Sequence, residues 1–230
     1  MQIIHTTPVA DGLALIFDLD GVIIDSMPMH LEAWEAYLEK LGIEHLGIGP
    51  KMHGRRNDDI VLEFITRGKH GDLSPEQIFE HGAAKEALFR EMMTPHLDRH
   101  LVPGLIEFLD RCKGAPIGLA TNAEPANVEF VLEGAGLRSR FHVVVDGHQV
   151  ERPKPFPDVY LRAAELLGTD PGNCIVFEDS PTGIAAARAA GARVVGIASH
   201  STGLPEVDLL IQNFTDGALD PWLRTIEPRS

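Results

Sequence analysis

The chain has 230 residues, 44% of them hydrophobic, which is enough for one large domain or two modest ones. Its formal charge is −14, from 34 acidic against 20 basic residues. That balance excludes non-specific nucleic-acid binding, which needs surplus Lys and Arg to neutralise phosphates, and docking on anionic membrane surfaces. The two cysteines, Cys112 and Cys174, stand far apart in no metal-binding spacing and fit a cytoplasmic, reducing location. Neither a basic-then-apolar secretion signal nor an apolar run near the ~20 residues of a membrane helix is visible.

The first clear element is the unbroken apolar run Leu13–Phe17, which reads as a strand buried on both faces. Asp18, Asp20 and Gly21 follow directly. Side chains at i and i+2 of an extended chain point the same way, so both carboxylates face one small volume past the strand end. Taken alone, Asp20-Gly21 reads equally well as an ordinary strand-to-turn exit.

From Ser26 the period changes. Leu31, Trp34, Leu38 and Leu41 recur at helical spacing until Gly42, with Pro28 in the first turn. Residues 43–57 are loop-like, and a short helix is predicted near Asp58–Arg67. Ser74-Pro75-Glu76-Gln77 combines a cap, a first-turn proline and a capping-box glutamine, opening a helix that runs to about Met93. Residues 26–95 are therefore all-helical. They are too long for an ordinary crossover between parallel strands and read as an inserted domain. Pro95 and the Pro103-Gly104 turn mark the return.

Strand and helix then alternate. Strands are predicted at Pro116–Ala120, Val143–Val145, Cys174–Phe177, Arg193–Ile197 and Leu209–Ile211, with helices near 104–113, 124–133, 157–167 and 181–190. A last helical turn lies near 220–225. The fold class is α/β: a Rossmann-like, doubly wound parallel sheet covered by helices on both faces, with an inserted α-helical cap domain. The core domain comprises residues 1–25 and 96–230, the cap domain residues 26–95.

In such a sheet the loops after the strands gather on one edge. Reading past each strand end gives Asp18 and Asp20, then Thr121 and Asn122, then Glu178 and Asp179. Lys154 lies in the loop beyond Val145. Clustered carboxylates repel unless a cation holds them, and oxygen-only ligands suit Mg²⁺. A carboxylate not needed by the metal can attack phosphorus, Lys154 can neutralise charge, and Thr121 with nearby amides can bind phosphoryl oxygens. Each residue also has a plainer reading. Glu178 and Asp179 complement a helix dipole, Thr121 caps a helix, and Lys154 is a solvated loop lysine.

The four segments together resemble the haloacid dehalogenase superfamily, specifically the beta-phosphoglucomutase-like group with a helical cap. Phe-Asp-Leu-Asp-Gly-Val at 17–22 resembles its first motif, Thr121-Asn122 the second, Lys154 in Lys-Pro-Phe-Pro-Asp the third, and Glu178-Asp179-Ser180 the fourth. The resemblance implies an Mg²⁺-dependent phosphatase of a small phosphorylated sugar or related metabolite; a monomer is expected because no amphipathic helix is left over. Asp18 would be the nucleophile and Asp20 the general acid/base. The metal would be held by Asp18, the Asp20 carbonyl and Asp179, with Glu178 behind them or binding through water. Dehalogenases lack the second aspartate, so Asp20 favours phosphoryl transfer. In the cap, His30, Arg55, Arg56 and Lys85 are the candidate substrate contacts, with Asn122 from the core. Packing remains open for His30, and a solvated helix charge for Lys85. Gly54-Arg55-Arg56 departs from the mutase pattern, in which serines flank the arginine, and looks more like the Gly-Arg of small-molecule phosphatases. The alternative function is a beta-phosphoglucomutase, and a lesser one is a non-catalytic phospho-ligand binder.

Overall fold

A computed structural model describes residues 7–45, 47–49, 57–198 and 203–229. The chain divides into two compact units, Met1–Asp25 with His100–Ser230, and Ser26–Arg99.

The first unit is built on one sheet. Its strands are β1 (Ala14–Phe17), β2 (Ile117–Ala120), β3 (Val143–Val145), β4 (Cys174–Glu178), β5 (Arg193–Ile197) and β6 (Leu209–Ile211), in the order β3-β2-β1-β4-β5-β6. All five pairings are parallel. The order runs outward from β1 in both directions, so the direction of winding reverses between β1 and β4. That reversal opens a crevice at the carboxyl ends of these two strands.

β1 is buried at every position, as its apolar run demands. Alternation sends its side chains to opposite faces. Phe17 enters an aromatic cluster, stacking on Phe177 with centroids 4.6 Å apart and meeting Phe108, Phe141 and Phe214. Ala14 and Ile16 pack on the other face with Val176, Val159, Tyr160 and Ala163. Burial pushes the free thiols of Cys112 and Cys174 up to about 12, so both pack as small, inert side chains.

The inserted unit contains α1 (Met27–Lys40), α2 (Asn57–Val61), a π-helix (Leu62–His70), α3 (Pro75–Met93), a 3₁₀ turn (Thr94–His96) and α4 (Leu97–His100), whose last residue already belongs to the first unit. Trp34, Leu38, Ile60, Val61 and Ile65 form its core. α3 opens with a complete capping box: Ser74 Oγ accepts from Gln77 N and Gln77 Oε1 from Ser74 N. Two local readings change. The helix predicted near Asp58–Arg67 is α-helical only to Val61, because a short apolar pattern does not distinguish i→i+4 from i→i+5 bonding. Pro95 does not mark the return, since it sits in the first turn of the 3₁₀ segment, where no amide donor is needed.

In the first unit the remaining helices are α5 (Leu105–Arg111), α6 (Pro125–Gly134), α7 (Asp158–Leu167), α8 (Pro181–Ala189) and α9 (Leu219–Leu223). No helix among the described residues is long and apolar enough to cross a membrane. Because Phe17 joins β1 to the whole aromatic cluster, Phe17→Ala is expected to cost about 4 kcal/mol of stability, read by urea denaturation.

Candidate active site

The parallel ladder carries Asp18 to the sheet edge. Its amide donates to Phe177 O at 3.1 Å, one residue beyond β1, so its backbone is fixed beside β4. The Thr121 amide does the same at the end of β2, donating to Val145 O at 3.0 Å. Asp18 is buried, and Lys154 Nζ lies 2.9 Å from its Oδ1. That contact is an ion pair not aligned as a hydrogen bond, so Asp18 Oδ1 has no hydrogen-bond partner among the described residues.

Lys154 is held from several sides. Its ammonium donates to Glu178 Oε1 at 2.7 Å. Its backbone amide donates to Asn122 Oδ1 at 3.1 Å, and Asn122 Nδ2 reaches Lys154 O at 3.5 Å. The loop's outer end is closed by Arg152, which donates to both oxygens of Asp158 at 3.0 and 2.8 Å. Lys154 is therefore not a solvated loop lysine. Asn122, expected to touch substrate, instead has its side-chain amide on the Lys154 backbone.

Glu178 is the last residue of β4 rather than the first beyond it, and it is fully buried. Its Oε1 accepts from Lys154 and from the Tyr160 hydroxyl at 2.6 Å. Its Oε2 accepts from Asp179 N, Ser180 N and Ser180 Oγ at 3.0, 3.2 and 3.0 Å. Ser180 Oγ also accepts from Gly183 N, capping α8. A Cβ at Gly183 would lie 1.7 Å from Glu178 Oε1, so glycine there makes room for the buried carboxylate. Asp179 rests against the Asp20 loop in the same way: a Cβ at Gly21, where φ is +74°, would meet Asp179 Oδ2 at 1.8 Å. Thr121 is buried, and its Oγ1 accepts from Ala123 N at 3.1 Å, leaving the O–H to donate.

In the helical unit, Lys85 is buried rather than solvated. Its ammonium contacts His30 Nδ1 and Glu86 Oε1, both at 2.8 Å, and lies over the Trp34 ring at 5.2 Å. Asn57 Nδ2 donates to the same Glu86 oxygen at 2.6 Å, and His30 stacks on Phe89. Arg55 and Arg56 lie outside the described residues. The sequence reading missed Tyr160, Glu86 and Asn57. Tyr160 had one usable signal: a hydroxyl on the apolar face of α7 must find an acceptor.

The sequence matches the family model of the haloacid dehalogenase-like hydrolases over residues 13–191. The chain belongs to this family. It is 34% identical to the fructose-1-phosphate phosphatase YqaB of Escherichia coli (strain K12), over 80% of this chain and 95% of that protein. It is 26% identical to the beta-phosphoglucomutase of Bacillus subtilis (strain 168), over 90% and 92%. The crystal structure of beta-phosphoglucomutase from Clostridium difficile superposes with a TM-score of 0.79 at 25% identity, covering 92% of this chain and 96% of that one. The chain is thus an enzyme of the haloacid dehalogenase-like phosphatase and phosphomutase kind, a hydrolase by its family.

The electrostatics of this family site are unbalanced in the protein by itself. Burial raises Asp18 to about 7; Lys154 opposes the shift while Glu178 and Asp20 add to it. Burial and the charges of Glu178, Asp18 and Asp20 raise Asp179 to about 9. For Lys154, burial lowers the pKa, but Asp18 and Glu178 more than offset it and the net shift is upward. Oxygens of Asp18, Glu178 and Asp179 lie within 4.8 Å of one another. Glu178 is already saturated with donors, whereas Asp18 Oδ1 has the Lys154 ammonium beside it but no aligned hydrogen bond. An oxygen-only cluster with repelling carboxylates and such a ligand atom fits a hard divalent cation such as Mg²⁺.

Raised carboxyl pKa values mean that the folded state holds protons the unfolded chain has released, so stability falls as pH rises through that interval. In EDTA this contribution is complete below about 4. It declines as Asp18 ionises toward about 7 and Asp179 toward about 9. The melting temperature of metal-free protein is expected to drop across this window, with Mg²⁺ abolishing the drop and Asp179→Asn melting higher than wild type at pH 8 in EDTA. Gly21→Ala, which forces a methyl into Asp179 at a left-handed φ, should cost about 2 kcal/mol and blunt the stabilisation by Mg²⁺ in the same melts.

Proposed function

We propose that this protein is an Mg²⁺-dependent phosphatase of a small phosphorylated sugar, working through an aspartyl-phosphate on Asp18. The observation that carries the reading is Asp18 itself: a buried carboxylate at the strand end whose Oδ1 is ion-paired with Lys154 at 2.9 Å without an aligned hydrogen bond. In this reading Asp18 attacks phosphorus, and Asp20 protonates the departing sugar oxygen, then takes a proton from the water that cleaves the acyl phosphate. Lys154 holds the Asp18 carboxylate and a phosphoryl oxygen together, and the Thr121 hydroxyl donates to another. Asp18, Asp179 and the Asp20 backbone would hold Mg²⁺, which when bound neutralises the carboxylates and the phosphoryl charge. Glu178 and Asn122 are assigned to holding Lys154. His30, Lys85, Arg55 and Arg56 are assigned to the sugar. The 34% identity with a fructose-1-phosphate phosphatase over most of both chains supports hydrolysis rather than mutation of the sugar phosphate. Two buried free thiols suit a reducing, cytoplasmic setting, and the protein is assigned as a monomer.

Purified protein incubated with a panel of sugar phosphates and Mg²⁺ is expected to release inorganic phosphate. EDTA should abolish the release and Asp18→Asn should lower it by more than about a thousandfold. Absence of release from every member overturns the reading. Conversion of beta-glucose 1-phosphate to glucose 6-phosphate without phosphate loss, dependent on a bisphosphate activator, would replace it with the mutase.

A further inference from the structure

Tyr160 lies on the buried face of α7, 1% exposed, among Val159, Ala163 and Ala164. It meets the Lys154–Glu178 pair in two ways. Its hydroxyl donates to the Glu178 oxygen that also takes the Lys154 ammonium, at 2.6 and 2.7 Å. Its ring lies under the same ammonium, with Lys154 Nζ 4.8 Å from the centroid. The two contacts do different work. A carboxylate oxygen has two lone-pair directions, and Tyr160 fills the one that Lys154 does not. With Oε2 occupied by Asp179 N, Ser180 N and Ser180 Oγ, Glu178 can neither turn nor draw a second N–H from Lys154. The ring bars the ammonium from dropping toward the core and stabilises its charge where it stands. The ammonium is thus kept on the Asp18 side, with Nζ 2.9 Å from Asp18 Oδ1 as an ion pair.

We propose that Tyr160 is a positioning residue for phosphoryl transfer, holding Lys154 against Asp18 through the hydroxyl bond to Glu178 and the ring beneath the ammonium. This rests on the assignment of Asp18 and Lys154 given above. It goes beyond it by placing part of the transition-state alignment on a helix that contributes no group to the reacting atoms. Lys154 matters most as charge redistributes during transfer, so a misaimed ammonium slows turnover more than it weakens substrate binding.

The test compares Tyr160→Phe, which keeps the ring and loses the hydroxyl, with Tyr160→Leu, which loses both. On the sugar phosphate that wild type turns over best, Tyr160→Phe is expected to lower kcat about fivefold and Tyr160→Leu about fiftyfold. KM should stay within about twofold. A second measurement needs no turnover. In protein labelled with ¹³C-lysine, the Lys154 εCH₂ proton signal, assigned by its loss in Lys154→Arg, should be displaced upfield by the ring current. That displacement should persist in Tyr160→Phe and vanish in Tyr160→Leu. Folded variants with wild-type kcat overturn the proposal. So does a loss confined to KM, or a Lys154 signal at the ordinary lysine position in wild type. If Tyr160→Leu does not fold, the kcat of Tyr160→Phe decides alone. If wild type hydrolyses no sugar phosphate, the phosphatase reading fails, and the lysine signal by itself decides whether Tyr160 holds Lys154.

Discussion

A carboxylate removed from water must be met by donors, and Glu178 has no exposure at all. Lys154 and Tyr160 meet one oxygen, and the start of α8 meets the other. Because these donors come from the loop after β3, from α7 and from the turn into α8, one buried side chain joins three separate segments at the sheet edge. Replacing such a charge partner leaves an uncompensated charge in the interior, which is far costlier than losing an exposed pair. The glycine at 183 belongs to the same constraint, since the space Glu178 occupies is the space a side chain there would need.

The second organising fact is topological. The sheet winds outward from β1 in both directions, so the ends of β1 and β4 flank the reversal point. Asp18 ends one and Glu178-Asp179 the other, and the ladder bond from Asp18 N to Phe177 O sets their spacing. Burial first and the neighbouring carboxylates second push Asp18 and Asp179 upward at that point. A divalent cation bound there would neutralise these carboxylates. This is why the donor chemistry of the cluster argues for a metal more strongly than any single residue does.

The helical insertion solves a separate burial problem in a similar way. Lys85 sits among Trp34 and Phe89 and is met by Glu86 and His30, with Asn57 donating to the same Glu86 oxygen. A buried lysine with both a carboxylate and an aromatic face is fixed in orientation, which a solvated helix lysine is not.

The sequence alone determined the sheet and which residues follow its strands. Short apolar runs bounded by turn signals and alternating with helical stretches read as strands of a parallel sheet, and the residues after them, Asp18, Asp20, Thr121 and Asp179, are placed by chain order and the parallel rule. The helix starts at Ser74 and Ser180 were equally legible, because capping is a local hydrogen-bond pattern written in neighbouring residues. What depended on contacts between distant segments was not legible. Glu178 read as standing behind the ligands or binding through water, and spacing does not reveal that Tyr160 and Lys154 hold one of its oxygens. Asn122 read as a substrate contact because nothing local places it on the Lys154 backbone. Lys85 read equally as a solvated charge because His30 meets it only after α1 and α3 pack, although Glu86 is its neighbour in sequence. Local propensity and periodicity are properties of adjacent residues, whereas the satisfaction of a buried charge is a property of the assembled core. Only the tertiary structure decides which side chains are free to react and which are spent holding others in place.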